Sequence, residues 1–463
     1  MALLTGFCLT SNGHARPLPV EVKQAMAASS LSGDQVGLLI KPLENSKPAA
    51  ELNAARPFNP ASVMKVLTTL AALDTFGPAH TFKTRVLTTG TLADSVLTGN
   101  LIIQGGGDPA LNLEHFRTLI HEIRMRGIRR IDGDVIFDNS FFAIDRGDPG
   151  QFDGEPLKPY NAEPTALLVN YNALPLRLAP TPNGITAFLD PPGLPVDNAI
   201  QADPAGTCND WQDGLSASRD GDLLELSGRY PVACGDRVLW LNLMCPPATV
   251  ATLFQADWSE MGGSLSGQIR LGDTPAGAQP LMEFASPELS EIVRLTNKYS
   301  NNVMAKMLFL DLGAARFGAP ATWEKSQQAI RDWLTEKGLS MPELVIENGS
   351  GLSRIERISA GSMAKLLIWA SRQPLYYEFA ASLPALGLEG TQRHRLKDTP
   401  LAGRAWLKSG SLDGVHNLAG YVLDADGRRK VVVLFINNAG TRNVDAVQSA
   451  VLHWAIDSKH HLH

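Results

Sequence analysis

The chain has 463 residues, 44% hydrophobic and 19% charged, an ordinary globular composition long enough for about three domains. A formal net charge of −6 with no basic stripe argues against a nucleic-acid-binding surface. No apolar run reaches the roughly 20 residues that a membrane-spanning helix needs, so we predict no transmembrane segment.

The N-terminus is similar to an export signal. Residues 2–10 form a short apolar run, and Gly13-His14-Ala15 supplies the small residues at which a signal peptidase cuts. No Lys or Arg precedes the run, which departs from the usual pattern. We expect cleavage after Ala15 and a protein outside the cytoplasm, either free or loosely associated with a membrane.

The first cluster with chemical potential is Ser62-Val63-Met64-Lys65. Asn59-Pro60 predicts a helix start with Asn59 as the cap, and residues 66–73 continue the helix as an apolar stretch. Ser62 then lies in the first turn, where unpaired backbone N–H groups can stabilise an oxyanion, and Lys65 lies on the same face. A lysine activates a serine when burial or a nearby cation lowers the lysine pKa, which we expect for Lys65.

The same Ser-x-x-Lys pattern recurs at Ser362 and Lys365, so the pattern alone carries little weight. We interpret Ser362 as a helix cap after a turn at Gly361. Ser62 becomes the stronger candidate only through the clusters that follow it in the chain.

The middle of the chain predicts short strands, such as residues 135–137 and 237–241, separated by Gly, Pro and Asp. Cys208 and Cys234 flank a hairpin-like region at residues 223–229, and we predict that they pair. Cys245 would then be a buried free thiol. We predict no metal site and no cofactor, because the cysteines lack C-x-x-C spacing.

Two further clusters lie toward the C-terminus. Ser300-Asn301-Asn302 separates a predicted helix at residues 288–299 from an apolar stretch at residues 303–310, so helix capping is the alternative explanation for these side chains. Lys408-Ser409-Gly410 lies in an extended segment, where small residues let a substrate backbone approach, although the tripeptide is also common where a strand enters a turn. Residues 418–423 and 430–437 predict a hairpin.

Taken together, the three clusters resemble the S-x-x-K, S-D-N and K-T-G signature of penicillin-binding proteins and class A β-lactamases, with Asn301 replacing Asp and Ser409 replacing Thr. The long stretch between Ser62 and Ser300 resembles the class C low-molecular-weight penicillin-binding proteins, the D-alanyl-D-alanine carboxypeptidase/endopeptidase type. Three other segments also resemble that family: residues 101–109, 347–354 and 417–421.

The resemblance implies an α/β fold: a β-lactamase/transpeptidase-like catalytic domain, with an antiparallel sheet flanked by helices, and a large, mainly β inserted region of two small domains. The expected ranges are a signal-like segment at 1–15, the catalytic domain at 16–82 plus 272–463, an inserted domain at 83–159 plus 229–271, and a nested small domain at 160–228.

The resemblance also implies a mechanism, in which Ser62 attacks a D-alanine carbonyl of a peptidoglycan stem peptide and Lys65 takes the serine proton. Ser300 would relay a proton to the leaving amine, Asn302 would orient the substrate amide, and Lys408 would attract the substrate carboxylate. Water would then release the acyl group, and β-lactams would inhibit covalently. The substrate-binding residues implied are Ser409, Gly410 and Ser411.

A further group of residues is expected to read the free end of the diamino acid side chain in the stem peptide: Glu155, Tyr160, Arg354 and Asp413. Ordinary surface charges are the alternative explanation for this group. The implied partners are stem peptides and β-lactam antibiotics, the implied location is the periplasm, and the oligomeric state stays open.

Three alternative functions are left open by the residues. A β-lactamase shares the clusters but needs a dedicated deacylating base, and a non-catalytic peptidoglycan-binding scaffold would not be acylated by penicillin. A metallopeptidase would be inhibited by chelators, but the chain has no H-E-x-x-H sequence.

Overall fold

A computed structural model describes residues 18–44, 47–145, 147–191, 194–221, 223–243, 248–437 and 443–457. The predicted signal-like segment and the predicted free thiol of Cys245 lie outside these residues. The α-helices of the described part are α1 (Val20–Ala28), α2 (Lys65–Phe76), α3 (Leu113–Met125), α4 (Ala248–Glu260), α5 (Leu289–Lys298), α6 (Asn302–Phe317), α7 (Trp323–Glu336), α8 (Ala360–Ala370), α9 (Tyr376–Ser382) and α10 (Val444–Ile456).

The β-strands of the described part are mostly short. In chain order they are β1 (Val36–Pro42), β2 (Ala50–Leu52), β3 (Pro57–Phe58), β4 (Lys83–Thr88), β5 (Thr91–Ala93), β6 (Val96–Thr98), β7 (Leu101–Gln104), β8 (Arg130–Ile131), β9 (Val135–Asp138), β10 (Ala173–Thr181), β11 (Gly184–Leu189), β12 (Val196–Asn198), β13 (Gln201–Asp203), β14 (Leu215–Asp220), β15 (Leu223–Pro231), β16 (Arg237–Asn242), β17 (Ser264–Leu265), β18 (Ile269–Leu271), β19 (Gln279–Ala285), β20 (Ile358–Ser359), β21 (Ala405–Leu412), β22 (Val415–Leu423) and β23 (Arg429–Ile436).

The chain divides into two compact units. Unit 1 contains the residues up to Leu67, Gly338–Ile346 and the residues from Arg354 onward. Unit 2 contains Thr68–Lys337 and Glu347–Ser353. Among the described residues, no helix combines the length and the apolar character that crossing a bilayer requires.

Unit 1 is built on an antiparallel sheet in the order β2-β1-β23-β22-β21. Alternate residues of a strand point to opposite faces, and here both faces are covered. Apolar residues on one face pack with α1 and α10 in a shared core. On the sheet's α8 side, Tyr421 of β22 donates its hydroxyl proton to Leu367 O of α8 at 2.8 Å. The hairpin predicted at residues 418–437 is confirmed as β22 and β23.

Unit 2 contains most of the short strands. They form a five-stranded sheet in the order β18-β9-β7-β4-β19, a four-stranded sheet in the order β17-β8-β6-β5, a three-stranded sheet in the order β11-β10-β16, and a group in which β15 pairs with β12, β13 and β14. A continuous apolar core joins these sheets to α3 and α4. The strands predicted at 135–137 and 237–241 are confirmed as β9 and β16. The region at 223–229, predicted to be hairpin-like, lies within the single strand β15, which pairs antiparallel with β14.

The predicted pairing of Cys208 and Cys234 is confirmed, because a disulfide joins them. Cys234 is buried in the core of unit 2, so the bond ties the end of β15 to the loop before β14. The predicted domain ranges stay predictions. The inserted domain was predicted to end at residue 271, but β19, at Gln279–Ala285, pairs with β4 and belongs to the same sheet.

The helix predicted at residues 288–299 is confirmed as α5, with Glu288 and Tyr299 flanking it. The prediction that Ser362 caps a helix is wrong. Helix α8 begins at Ala360, and its cap is Ser359, whose Oγ accepts a hydrogen bond from the Ser362 N–H at 3.0 Å. Ser362 therefore lies inside the first turn, where it is buried.

Candidate active site

Ser62 lies on a 3₁₀ turn, Ala61–Met64, that leads directly into α2 at Lys65. A helical segment therefore begins where it was predicted, but its first turn is a 3₁₀ turn and the α-helix begins only at Lys65. The prediction that Asn59 is the cap is wrong, because the cap position is Pro60; Asn59 precedes it, and its Oδ1 accepts a hydrogen bond from the Ala61 N–H at 2.8 Å. Ala61 adopts a left-handed backbone conformation with φ of 46°, an uncommon state for a residue other than glycine.

Ser62 and Lys65 are in direct contact. The Lys65 Nζ donates a hydrogen bond to Ser62 Oγ at 2.8 Å. Lys65 has 0% of its surface exposed, whereas Ser62 is partly exposed. The turn thus gives the serine hydroxyl access to solvent and places a buried amine within proton-transfer distance of it, the arrangement that nucleophilic catalysis needs.

Strand β21 brings the third cluster against the same turn. Gly410 fits there because it has no side chain: a Cβ at this position would lie 2.5 Å from Pro60 O and 3.0 Å from Val63 N. Glycine therefore permits the close approach of the strand to the residues on either side of Ser62. The structure brings together three predicted site residues of unit 1: Ser62 and Lys65 are in direct contact, and Gly410 lies against the residues that flank Ser62.

Lys408 has 0% of its surface exposed, and its Nζ donates to Ser409 O at 2.9 Å. Burial lowers the pKa of the Lys408 ammonium to about 7, because a low-dielectric environment disfavours the charged form. Ser409 lies beside Lys408 and is partly exposed, and Ser411 is exposed at the end of the strand. These hydroxyls are available to a ligand that approaches along β21.

Three asparagines tie the turn that carries Ser62 to the sheet of unit 1, and two of them, Asn417 and Asn437, were not among the predicted site residues. Asn59 O accepts hydrogen bonds from Asn417 Nδ2 at 2.9 Å and from Asn437 Nδ2 at 3.2 Å. Asn437 Oδ1 in turn accepts from the Asn59 N–H at 2.8 Å. Asn417 lies within β22 and Asn437 directly follows β23, and both strands are otherwise mostly apolar. A polar amide in such an apolar run needs a hydrogen-bond partner, and this pattern could have identified both residues from the sequence.

In unit 2, Ser300 and Asn302 are placed by the start of α6. Asn301 caps this helix, because its Oδ1 accepts from the Met304 N–H at 3.0 Å. Ser300 has a left-handed backbone with φ of 58°, and Asn302 Nδ2 donates to Tyr160 O at 3.2 Å. The capping explanation for the cluster therefore holds for Asn301, whereas Ser300 and Asn302 are not the caps.

The segment around Tyr160 packs on the same helix. The buried Lys306 of α6 forms an ion pair with the partly exposed Glu163, with 2.9 Å between Nζ and Oε1. The Tyr160 hydroxyl donates to Asp153 Oδ2 at 2.9 Å. Burial, together with that carboxylate, raises the pKa of Tyr160 to about 12, so the hydroxyl remains a proton donor. Glu155 is exposed nearby, and its backbone O accepts from Asn161 Nδ2 at 2.9 Å.

A cavity of about 490 Å³ in unit 2 is lined by Ser300 and Asn302 together with Tyr160. Two exposed aromatic side chains that the sequence analysis did not select, Trp240 and Tyr299, also line it. Its volume lies within the range of about 300 to 1,000 Å³ typical of small-molecule sites.

Arg354 and Asp413 belong to unit 1, and both are exposed. Arg354 O accepts a hydrogen bond from Arg357 Nη1 at 2.9 Å, which fixes the local backbone. Asp413 lies in the turn between β21 and β22. Their predicted roles in reading the diamino acid stay predictions.

Comparison with known proteins places this geometry in context. A sequence profile described as the D-Ala-D-Ala carboxypeptidase 3 (S13) family matches residues 18–457. A D-alanyl-D-alanine carboxypeptidase DacB from Haemophilus influenzae is 26% identical over 420 residues, covering 89% of this chain and 88% of that protein. A D-alanyl-D-alanine carboxypeptidase from an Actinomadura species is also 26% identical, covering 95% of this chain and 85% of that protein.

The fold agrees with the sequence comparison. The crystal structure of penicillin binding protein 4 from H. influenzae matches with a TM-score of 0.79 and 25% identity, covering 94% of this chain and 99% of that one. The resemblance inferred from the three clusters is thereby confirmed, as is the expected α/β fold with its inserted region.

Proposed function

Because the chain belongs to the D-Ala-D-Ala carboxypeptidase 3 (S13) family, we propose that it hydrolyses peptidoglycan stem peptides and their crosslinks through a serine acyl-enzyme. The observation that carries this proposal is the 2.8 Å contact between the partly exposed Ser62 Oγ and the fully buried Lys65 Nζ. A neutral amine at that position accepts the serine proton as the oxygen attacks the carbonyl carbon.

In the proposed acylation step, Ser62 Oγ bonds to the carbonyl carbon of the penultimate D-alanine and Lys65 takes its proton. The tetrahedral intermediate carries a negative oxygen, which backbone N–H groups of Ser62 and Ser411 stabilise. The bond to the terminal amine then breaks, and Ser300 delivers its hydroxyl proton to that amine while it takes over the proton that Lys65 received from Ser62. Water finally attacks the ester, which releases the product and restores the Ser62 hydroxyl.

Lys408 has two proposed roles. Its ammonium attracts the carboxylate at the end of the substrate, and its charge favours the neutral form of Lys65. Ser409 hydrogen-bonds the same carboxylate, and Gly410 lets the substrate backbone approach the strand. Asn302 orients the substrate amide. We propose that Glu155, Tyr160, Arg354 and Asp413 select the diamino acid side chain, with acidic groups for its ammonium and Arg354 for its carboxylate.

The proposed place of action is the periplasm, where stem peptides are accessible. The support is the signal-like residues 2–15 of the sequence and the peptidoglycan substrate itself. No cofactor takes part in the proposed cycle, since the two lysines and two serines supply every proton transfer. β-Lactams would acylate Ser62 as substrate mimics, and the resulting acyl-enzyme would hydrolyse slowly.

The test is covalent labelling by a fluorescent penicillin. Ser62→Ala should abolish the label, and Ser362→Ala is the matched control, because it removes a serine from the same Ser-x-x-Lys pattern. Persistent labelling of the Ser62 variant, or loss of labelling in the Ser362 variant alone, would contradict the assignment. Rapid hydrolysis of penicillin by the parent protein would instead support a β-lactamase. A parent protein that penicillin does not label at all would support a non-catalytic scaffold.

Product analysis separates the two proposed activities. Mass spectrometry after incubation with a pentapeptide should show loss of one D-alanine, and a crosslinked dimer should yield two monomers. Cleavage of the pentapeptide with an intact dimer would restrict the function to carboxypeptidase activity.

A further inference from the structure

The loop between α9 and β21, residues 383–404, lies along the outer edge of β21. Leu386 N–H donates to Ala405 O at 2.9 Å, and Leu407 N–H donates to Pro384 O at 2.9 Å. β21 is the edge strand of its sheet, so this loop covers the first half of an otherwise open edge. The pairing ends just before Lys408, where the strand becomes available to a ligand.

The same loop returns to the strand at Thr391. Thr391 Oγ1 lies 3.1 Å from Ser409 Oγ, a hydrogen bond in which either hydroxyl can be the donor. Thr391 is exposed, and it occupies a 3₁₀ turn, Gly390–Gln392, that begins with a left-handed Gly390 at φ of 57°. Arg393 Nη1 donates to Gly390 O at 3.3 Å, so the turn is held by its own neighbour.

Two hydroxyls in contact can bind an anion more strongly than either hydroxyl alone, because they combine their hydrogen bonds. Each has one proton and two lone pairs, so Thr391 can donate to Ser409 while Ser409 donates to a third group, or both can turn toward that group. Chained hydrogen bonds polarise one another, and bonds to a charged acceptor are stronger than neutral ones. Lys408, whose Nζ donates to Ser409 O, adds positive charge beside this pair when it is protonated, which makes a carboxylate the fitting acceptor.

We propose that Thr391 is a specificity-determining residue that, with Ser409, binds the terminal carboxylate of the substrate. The proposal rests on the function proposed above and adds a contact from outside the three clusters. Thr391 acts in recognition, and the bond-breaking steps remain with Ser62, Lys65 and Ser300.

The experiment compares acylation by benzylpenicillin with acylation by its methyl ester, which lacks the carboxylate. Thr391→Val keeps the shape of the side chain and removes the hydroxyl, whereas Thr391→Ser keeps the hydroxyl. We expect the valine variant to lower the acylation rate constant for benzylpenicillin by roughly tenfold or more, the effect of losing one hydrogen bond to a charged group. The ester should lose far less, and the serine variant should restore the preference for the free carboxylate.

The control is Thr399→Val, in the same loop, where the hydroxyl donates to Leu396 O. It should leave the ratio between the two β-lactams unchanged. Equal losses for both β-lactams in Thr391→Val, or no loss for either, would overturn the proposal, as would a failure of Thr391→Ser to restore the ratio. A parent protein that no β-lactam acylates would refute the proposed function first, and calorimetric binding of an acetylated D-Ala-D-Ala peptide to parent and valine variant would then decide the role of Thr391.

Discussion

Asp108 in unit 2 is a buried carboxyl group whose ionisation should destabilise the folded protein. It has 2% of its surface exposed, and its Oδ1 accepts from the Ala110 N–H at 2.8 Å. Its Oδ2 has no hydrogen-bond partner among the described residues, and neither has either carboxylate oxygen of the neighbouring Asp311. Burial raises the pKa of Asp108 from 3.8 to about 6, and burial with the Asp108 charge raises the pKa of Asp311 well above its usual range.

The sign follows from linkage. An acid with a higher pKa in the folded state holds its proton more tightly there, so folding is favoured at low pH and loses stability as pH rises from about 4 to about 6. A shift from 3.8 to about 6 corresponds to about 3 kcal/mol above pH 6, since each unit is worth about 1.4 kcal/mol. Asp108→Asn removes this penalty, keeps the acceptor for Ala110, and places an amide donor where Oδ2 lacked a partner.

The assay is denaturant unfolding of the parent and of Asp108→Asn at pH 4.5 and pH 7.5. Taking the difference between the two proteins at each pH cancels the titrating groups that Asp108 does not influence, which leaves the effect of Asp108 together with that of Asp311. We expect a gain of about 3 kcal/mol at pH 7.5 and a much smaller gain at pH 4.5. The exposed Asp197→Asn serves as the control and should show no such trend. A variant that is less stable at pH 7.5, or that gains equally at both values, would refute the reasoning.

Three further predictions concern the site and the disulfide. Gly410→Ala should place a Cβ against Pro60 O and lower both stability, by about 1 to 3 kcal/mol, and the rate of penicillin labelling, whereas Gly33→Ala, with open space around its Cα, should do neither. Because the pKa of Lys408 is about 7, KM for a carboxylate-ended peptide should rise as pH increases through 7, and Lys408→Met should remove that dependence. Replacing Cys208 and Cys234 together by serine should lower the free energy of unfolding by about 2 to 4 kcal/mol in urea melts; an unchanged melt would contradict a stabilising role for the bond.

Local patterns predicted the elements that local chemistry determines. The β22 and β23 hairpin follows from two apolar runs around an Asp- and Gly-containing turn, and α5 follows from its apolar periodicity. The cap of α8 was misassigned because Ser359 and Ser362 both precede the same apolar run, and only the backbone shows which hydroxyl accepts the first free N–H.

The form of the turn Ala61–Met64 could not be predicted, because contacts with residues remote in sequence determine it. Asn417 lies 358 residues from Asn59, yet its amide bonds the Asn59 carbonyl, and Gly410 brings a whole strand against Pro60. The proximity of Ser62 and Lys65 was predictable, because residues three apart in sequence lie on the same face of a helical turn. The contact between Thr391 and Ser409 was not predictable, because the sequence Gly390-Thr391-Gln392 is typical of many surface loops.

The hydrogen bonds that join Asn59 to Asn417 and Asn437 also bear on how far Ser62 can move. Amide protons exchange with solvent only when their surroundings open, and the carbonyl and N–H of Asn59 are tied to residues of the central sheet. Opening the turn requires breaking those bonds, so the N–H groups of Ala61 and Val63 should exchange almost as slowly as those of β23. Under the proposed function, the flexibility needed to admit a crosslinked stem peptide would come from other segments, because the turn that carries Ser62 behaves as an extension of the core.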